Sequence, residues 1–200
     1  MHRQNLSHRQ QRSTTLFAFA SSFALLAALV VVLPSASPLA SAAGVPTCAT
    51  ASLDVWLNTT GNGAAGSSYY SLNFTNLSAH ACTLYGYPGV SGITQAGIQL
   101  GSAASRDAAH APSVITLSSA RTAKGFEDDT PGSTATVILQ ITVAENFPTA
   151  TCAPITAAGL RVYPPGQKES TVVPFPFVAC GKSGPRYLHV EAVQKYVTGQ

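Results

Sequence analysis

From Ser52 onward apolar and polar residues alternate with period two, and turn-forming residues interrupt the alternation at short intervals. A strand sends successive side chains to opposite faces, so the pattern predicts half-buried β-strands. Ser52 to Asn58 sets Leu53, Val55 and Leu57 on one side. Ser68 to Thr75 sets Tyr70, Leu72 and Phe74 against Ser71, Asn73 and Thr75. Cys82 to Tyr85 follows, then two short strands, Val90 to Thr94 and Ile98 to Gly101, joined by Gln95-Ala96-Gly97 with a glycine for the turn. Val114 to Leu117 is another. The strongest run, Ala135 to Val143, alternates Val137, Leu139, Ile141 and Val143 with Thr136, Ile138, Gln140 and Thr142, and predicts a central strand. Leu160 to Tyr163, Thr171 to Val178 and Tyr187 to Val197 complete the set. Pro174 and Pro176 cannot donate to a ladder and assign Thr171 to Val178 to a sheet edge.

Nine or ten short strands in about 150 residues predict an all-β fold, an immunoglobulin-like two-sheet β-sandwich with helix confined to loops such as Ile155 to Gly159. Ser102 to Pro112 and Arg121 to Pro131 are expected to be the long, least ordered loops. No internal repeat is present.

Ahead of the strands lies a different pattern. Arg3, Arg9 and Arg12 precede a charge-free, mostly apolar run from Leu16 to Leu33, and Ala40-Ser41-Ala42 offers small residues at an A-x-A cleavage site. These are the parts of an export signal cut after Ala42 or Ala43, which makes 1–43 a signal peptide and 44–200 a single domain. The competing reading is a retained anchor, since the run is near the lower limit for a bilayer span. Pro34 and Pro38 fit a processing region better. Cys48 follows Val45-Pro46-Thr47, which is no lipobox. The expected location is secreted or extracellular, with cell-envelope association open.

The formal charge of +3 equals the three arginines of the leader, so the exported part balances eight basic against eight acidic residues. A near-neutral surface supplies no counterion-release term for nucleic acid and no pull toward an anionic membrane. Neither is expected as a partner. All four cysteines, Cys48, Cys82, Cys152 and Cys180, follow the leader. Their even number in an exported chain predicts two disulfides. Of the three pairings, Cys48 with Cys82 and Cys152 with Cys180 join near neighbours and are the ones expected. No CxxC occurs, so no zinc site is expected.

Asn76-Leu77-Ser78 with Cys82-Thr83-Leu84-Tyr85-Gly86-Tyr87-Pro88-Gly89-Val90 and, later, Leu160-Arg161-Val162-Tyr163-Pro164-Pro165 carry a resemblance. Together with Gly97, Leu100-Gly101, Arg106 and Pro131-Gly132, they resemble an uncharacterised family of secreted proteins of high-GC Gram-positive bacteria, domain of unknown function four-two-three-two. The resemblance covers Cys48 to Val193. It implies an exported β-sandwich with paired cysteines and no assigned activity. Many relatives resemble lipoproteins, from which this chain departs, and its stretch Arg121 to Asp129 looks longer than theirs.

The residues offer no complete reactive set. Gly61-x-Gly63-x-x-Gly66 matches the dinucleotide fingerprint only formally, since a β-pattern follows where a helix must open, and a turn is the better reading. Gly89-Val90-Ser91-Gly92 is followed by Ile93, so the G-x-S-x-G elbow is absent. His80, His110 and His189 each stand alone in sequence, and Glu127-Asp128-Asp129 lacks EF-hand spacing. No catalytic residue, metal or cofactor is expected. Trp56, in phase with Asp54 and Asn58, and Tyr69, in phase with Ser71 and Asn73, are candidates for surface recognition by stacking on a sugar or partner protein.

The function these features predict is a non-catalytic envelope or extracellular binding module whose partner is an extracellular protein or glycan. A small secreted hydrolase would instead cluster His110 or His189 with a serine and an acid. A secreted protease inhibitor would show an exposed rigid loop beside a disulfide.

Overall fold

Two sheets, antiparallel except at one edge of the larger, bury their apolar faces against each other. The structure, a computed structural model, describes residues 44–122, 125–126 and 132–196. The leader, Pro131, Val197 and Glu127-Asp128-Asp129 lie outside the described residues. Among the described residues, no helix is long and apolar enough to cross a membrane.

In chain order the strands are β1 (Leu53–Ala64), β2 (Ser67–Asn76), β3 (Cys82–Tyr85), β4 (Gly89–Ile93), β5 (Gln99–Leu100), β6 (Ser105–Arg106) and β7 (Val114–Leu117). After them come β8 (Arg121–Thr122), β9 (Gly125–Phe126), β10 (Thr134–Thr142), β11 (Pro154–Tyr163), β12 (Thr171–Cys180), β13 (Leu188–Val190) and β14 (Gln194–Lys195). The larger sheet runs β1-β2-β10-β13-β6, with β14 also pairing β10, and the smaller runs β12-β11-β4-β5. β3-β7 and β8-β9 are two-stranded ribbons. β10 is therefore central and β12 an edge, as the apolar run and the two prolines predict. Beside β10, where an immunoglobulin constant-type sheet sets a strand from mid-chain, this sheet sets β13 from the C-terminal part.

Alternation decides which side chains enter the core. Leu72 and Phe74 of β2, Val137 and Leu139 of β10, and Leu188 and Val190 of β13 face Leu160 and Val162 of β11 and Val173 of β12 in one buried cluster. Each large side chain so buried contributes roughly 1.5–3 kcal/mol. An aromatic layer crosses between the sheets: Tyr70 meets Phe175 edge-on at 5.0 Å, Phe175 stacks on Phe177 at 5.8 Å, and Phe177 lies 6.4 Å from Tyr187. On β12 the phenylalanines point inward while Val172, Pro174, Pro176 and Val178 are exposed, the alternation of an edge strand with one covered face.

Tyr187 is fully buried, and its hydroxyl donates to the Leu100 carbonyl at 2.8 Å. Gly92 makes room for it, since a Cβ there would lie 2.8 Å from the phenol oxygen. The disulfides are Cys48–Cys82 and Cys152–Cys180, the expected pairing. The first fastens the N-terminal segment to β3, beside the bond from Cys48 N–H to the Thr83 carbonyl. The second closes the end of the β11–β12 pair, where Pro154 lies opposite Cys180. Loops of 34 and 28 residues are closed. Chain entropy assigns about 3–4 kcal/mol to each bridge.

Several expectations are corrected. Ile155 to Gly159 is not a helix but the first half of β11, while the nearby helical turn is α1 (Thr149–Cys152). The small residues Ala157, Ala158 and Gly159 hide the alternation, and pairing of Ile155 with Ala179 and Thr156 with Val178 imposes it. Gly159 is needed there, because a Cβ would meet the Val173 carbonyl at 2.5 Å. β1 runs on past Asn58 to Ala64 through a register shift, leaving only Ala65 and Gly66, both at positive φ, as the turn. Ser102 to Pro112 is not wholly loop, for β6 within it pairs in parallel with β13. Tyr187 to Val197 is split into β13 and β14 by Glu191 to Val193.

Burial pushes the Tyr187 phenol up to about 12, with the Gly92 backbone working against the rise. A tyrosine whose folded value lies above its unfolded value of about 10 stabilises the fold fully below pH 10 and loses that contribution as pH climbs through 12. The wild type is expected to lose unfolding free energy between pH 10 and 12 more steeply than Tyr187→Phe, by roughly 2–3 kcal/mol over the range. Equal slopes in urea titrations would contradict this.

Candidate functional site

The outer face of the larger sheet carries the polar half of the alternation. Trp56, Asn73, Thr136 and Gln194 form one row across β1, β2, β10 and β14. Tyr69, Gln140, His189 and Ser105 form another across β2, β10, β13 and β6. Cross-strand neighbours in such rows are in reach of one another. Thr136 donates to the Asn73 side-chain oxygen at 2.7 Å, Thr75 and Thr134 share a bond of 3.0 Å, and Gln140 donates to Ser67 at 3.0 Å. Trp56 is half-buried, its indole N–H donating diagonally to Thr75 at 3.1 Å. That bond anchors one edge of the ring.

Two depressions lie side by side on this face and share Ile138. The larger, about 60 Å³, is lined by Asn58 and Ser71 on one side, Thr136 and Ile138 beneath, and Gln194, Lys195 and Tyr196 on the other. Among the described residues, no hydrogen bond occupies the Asn58 amide nitrogen, the Ser71 hydroxyl or the Lys195 ammonium, whereas the Asn58 side-chain oxygen accepts from Thr60 N–H at 3.0 Å. The smaller, about 20 Å³, is lined by Tyr69, Asp107, Ile138, Gln140, His189 and Glu191. Tyr69 is thus placed at a depression, and Trp56 lies in the row beside the larger one.

His189, which lines the smaller depression, belongs to a pair that no sequence spacing announces. His189 Nδ1 lies 2.8 Å from the Ser105 hydroxyl, and its Nε2 lies 3.0 Å from the Arg186 carbonyl. A carbonyl only accepts, so Nε2 carries a proton, and the one Ser105 hydroxyl proton has two acceptors in reach, Nδ1 and the Leu188 carbonyl at 3.3 Å. That is half of a nucleophile and base unit. The remaining half is missing. The base is oriented by a neutral carbonyl rather than a carboxylate, which leaves a developing imidazolium unpaired. Asp107 instead accepts from Ala109 N–H at 3.0 Å. Glu191 accepts from Gln194 at 2.9 Å and lies 3.5 Å from His110. The Asp107 amide, next after β6, is donated to Val190 and does not face an oxyanion. Ser105 and His189 are therefore read as a cross-strand pair. A fluorophosphonate probe at neutral pH is expected to leave Ser105 unmodified by intact-mass analysis. Labelling abolished by both Ser105→Ala and His189→Ala would overturn that reading.

The other sequence candidates are dispersed. His80 is exposed, and Gly61, Gly63 and Gly66 belong to the β1–β2 hairpin with no helix behind them. Among the described residues, no three His, Cys, Asp or Glu side chains gather as a metal would require.

Comparison with known proteins bears on this geometry only through the family. No curated protein and no solved structure matches the chain. A family model described as a domain of unknown function (DUF4232) matches residues 48–194, which takes in both disulfides, the two large sheets up to Gln194 and the smaller depression, and stops short of Lys195 and Tyr196 in the larger one. On that match over most of its length, the chain belongs to the DUF4232 family.

Proposed function

We propose that this protein is an exported, non-catalytic binding module of the extracellular space or cell envelope, with the outer face of its larger sheet as the recognition surface. The observation that carries the reading is the pair of adjoining depressions, where side chains with spare hydrogen-bonding capacity surround the half-buried Ile138. Such convergent polar groups around an apolar floor are how concave sites fix a ligand. The leader-like residues 1–43 and the two disulfides both fit an oxidising compartment. Trp56 and Tyr69 are the aromatic contributors in this proposal.

The Ser105–His189 pair is the one feature that favours a secreted hydrolase, and it lacks the charged orienting group that the chemistry calls for. An inhibitor reading would look to Gly181–Gly184, which is exposed beside Cys180. There the chain bends throughout, and the Lys182 ammonium is turned back onto the Ala150 carbonyl at 3.0 Å. It presents no extended segment to a protease.

The protein secreted from the full-length chain, immobilised and exposed to envelope and culture-supernatant fractions, is expected to retain one glycan or protein. Ser71→Arg, which fills the larger depression, is expected to lose it. Retention of nothing, together with turnover of a generic ester or peptide, would remove the binding reading.

A further inference from the structure

We infer that the larger depression takes the hydroxyl-bearing edge of a neutral sugar ring and that the smaller one receives a single group of the next ring of the same chain. This rests on the binding reading above and names its ligand class. The larger depression offers donors from Asn58, Ser71 and Lys195. It also offers acceptors, because the Gln194 amide nitrogen is spent on Glu191, leaving its carbonyl, and the Thr136 proton is spent on Asn73, leaving lone pairs. Donors and acceptors alternating around one hollow complement a group that both donates and accepts at adjacent atoms. Vicinal hydroxyls do this, and a carboxylate or phosphate, which only accepts, does not.

Charge points the same way. Lys195 is the one cation lining the larger depression, and Asp107 and Glu191 line the smaller one. A polyanion entering both would meet two carboxylates. The volume of about 60 Å³ is well below the roughly 300–1,000 Å³ of a site that engulfs a ligand, so the depression admits an edge and leaves the rest of the ring outside. Ile138 runs beneath both hollows and supplies an apolar contact for ring C–H groups, with Tyr69 and Tyr196 at either end. Two rings set over the two hollows make the ligand a disaccharide or longer.

The test uses the secreted protein on a printed panel of neutral, N-acetylated and uronic-acid oligosaccharides, with monosaccharides included. The expected result is retention of at least one neutral oligosaccharide over its monosaccharide, about tenfold weaker for Asn58→Asp and for Gln194→Ala. Thr116→Arg, on the exposed face of β7, should bind like the wild type. Thermal melts of all four proteins establish that each is folded. Retention of uronic acids alone, or neutral-sugar binding unchanged in both variants, would overturn the inference. Capture of a protein through the Ser71 face without any sugar binding would also overturn it, while the binding-module reading would stand.

Discussion

One buried side-chain amide holds the end of this fold together. Asn76, at the last position of β2, is fully buried, and its amino group reaches the carbonyls of His80, Leu117 and Ser118 at 2.9, 3.3 and 3.1 Å. Its oxygen accepts from both the backbone N–H and the hydroxyl of Ser78, at 3.0 and 2.7 Å. Its backbone N–H donates to Ser133, and its carbonyl accepts from Ala120. The approach to β3, the exit from β7 and the entry to β10 are thus fixed by one residue. An amide has two protons, so three carbonyls mean that one bond is shared, and no other side chain of this size offers two donors beside an acceptor. In a low-dielectric interior, losing such a centre strands several polar groups at once.

With that end closed, the remaining architecture follows from alternation. Each strand of the larger sheet gives one face to the core and one to the outside, and the central position of β10 means that its outer residues, Thr136, Ile138 and Gln140, have neighbours on both sides. The same pairing that buries Val137 and Leu139 therefore assembles the outer rows. The buried core and the polar outer rows are placed on opposite faces of the same strands. The disulfides act at the margins, one tying the N-terminal segment to the β3 ribbon and the other closing the β11–β12 end.

Much of this frame was legible in the letters. β2, β3, β7 and β10 match their alternating runs within a residue or two, because each has strong apolar side chains on one phase only. The bridges followed from an even cysteine count and short separations. β11 was half hidden because small residues carry no hydrophobic signal, and its pairing was decided by β12 instead. The extension of β1 was masked by Gly61 and Gly63, which read as turn. The Asn76-Leu77-Ser78 motif was visible as a signature, but its physical reason, a buried amide serving three segments, needed coordinates.

The outer-face site was legible only in part. The polar phase of each strand was plain, and Tyr69 stood out within it. The depressions depend on β14 pairing with one end of β10 and β6 pairing with β13, contacts between two-residue strands too short to leave a period. Ser105 and His189 are 84 residues apart, and nothing local marks either.

The measurement that reaches the centre of this account is equilibrium denaturation of Asn76→Asp at neutral pH. The carboxylate would face the carbonyls of His80, Leu117 and Ser118 with no proton to give them, and the account predicts a loss of about 3–5 kcal/mol for such an uncompensated buried charge. A loss below about 1 kcal/mol, the range of an ordinary surface substitution or a single hydrogen bond, would contradict it.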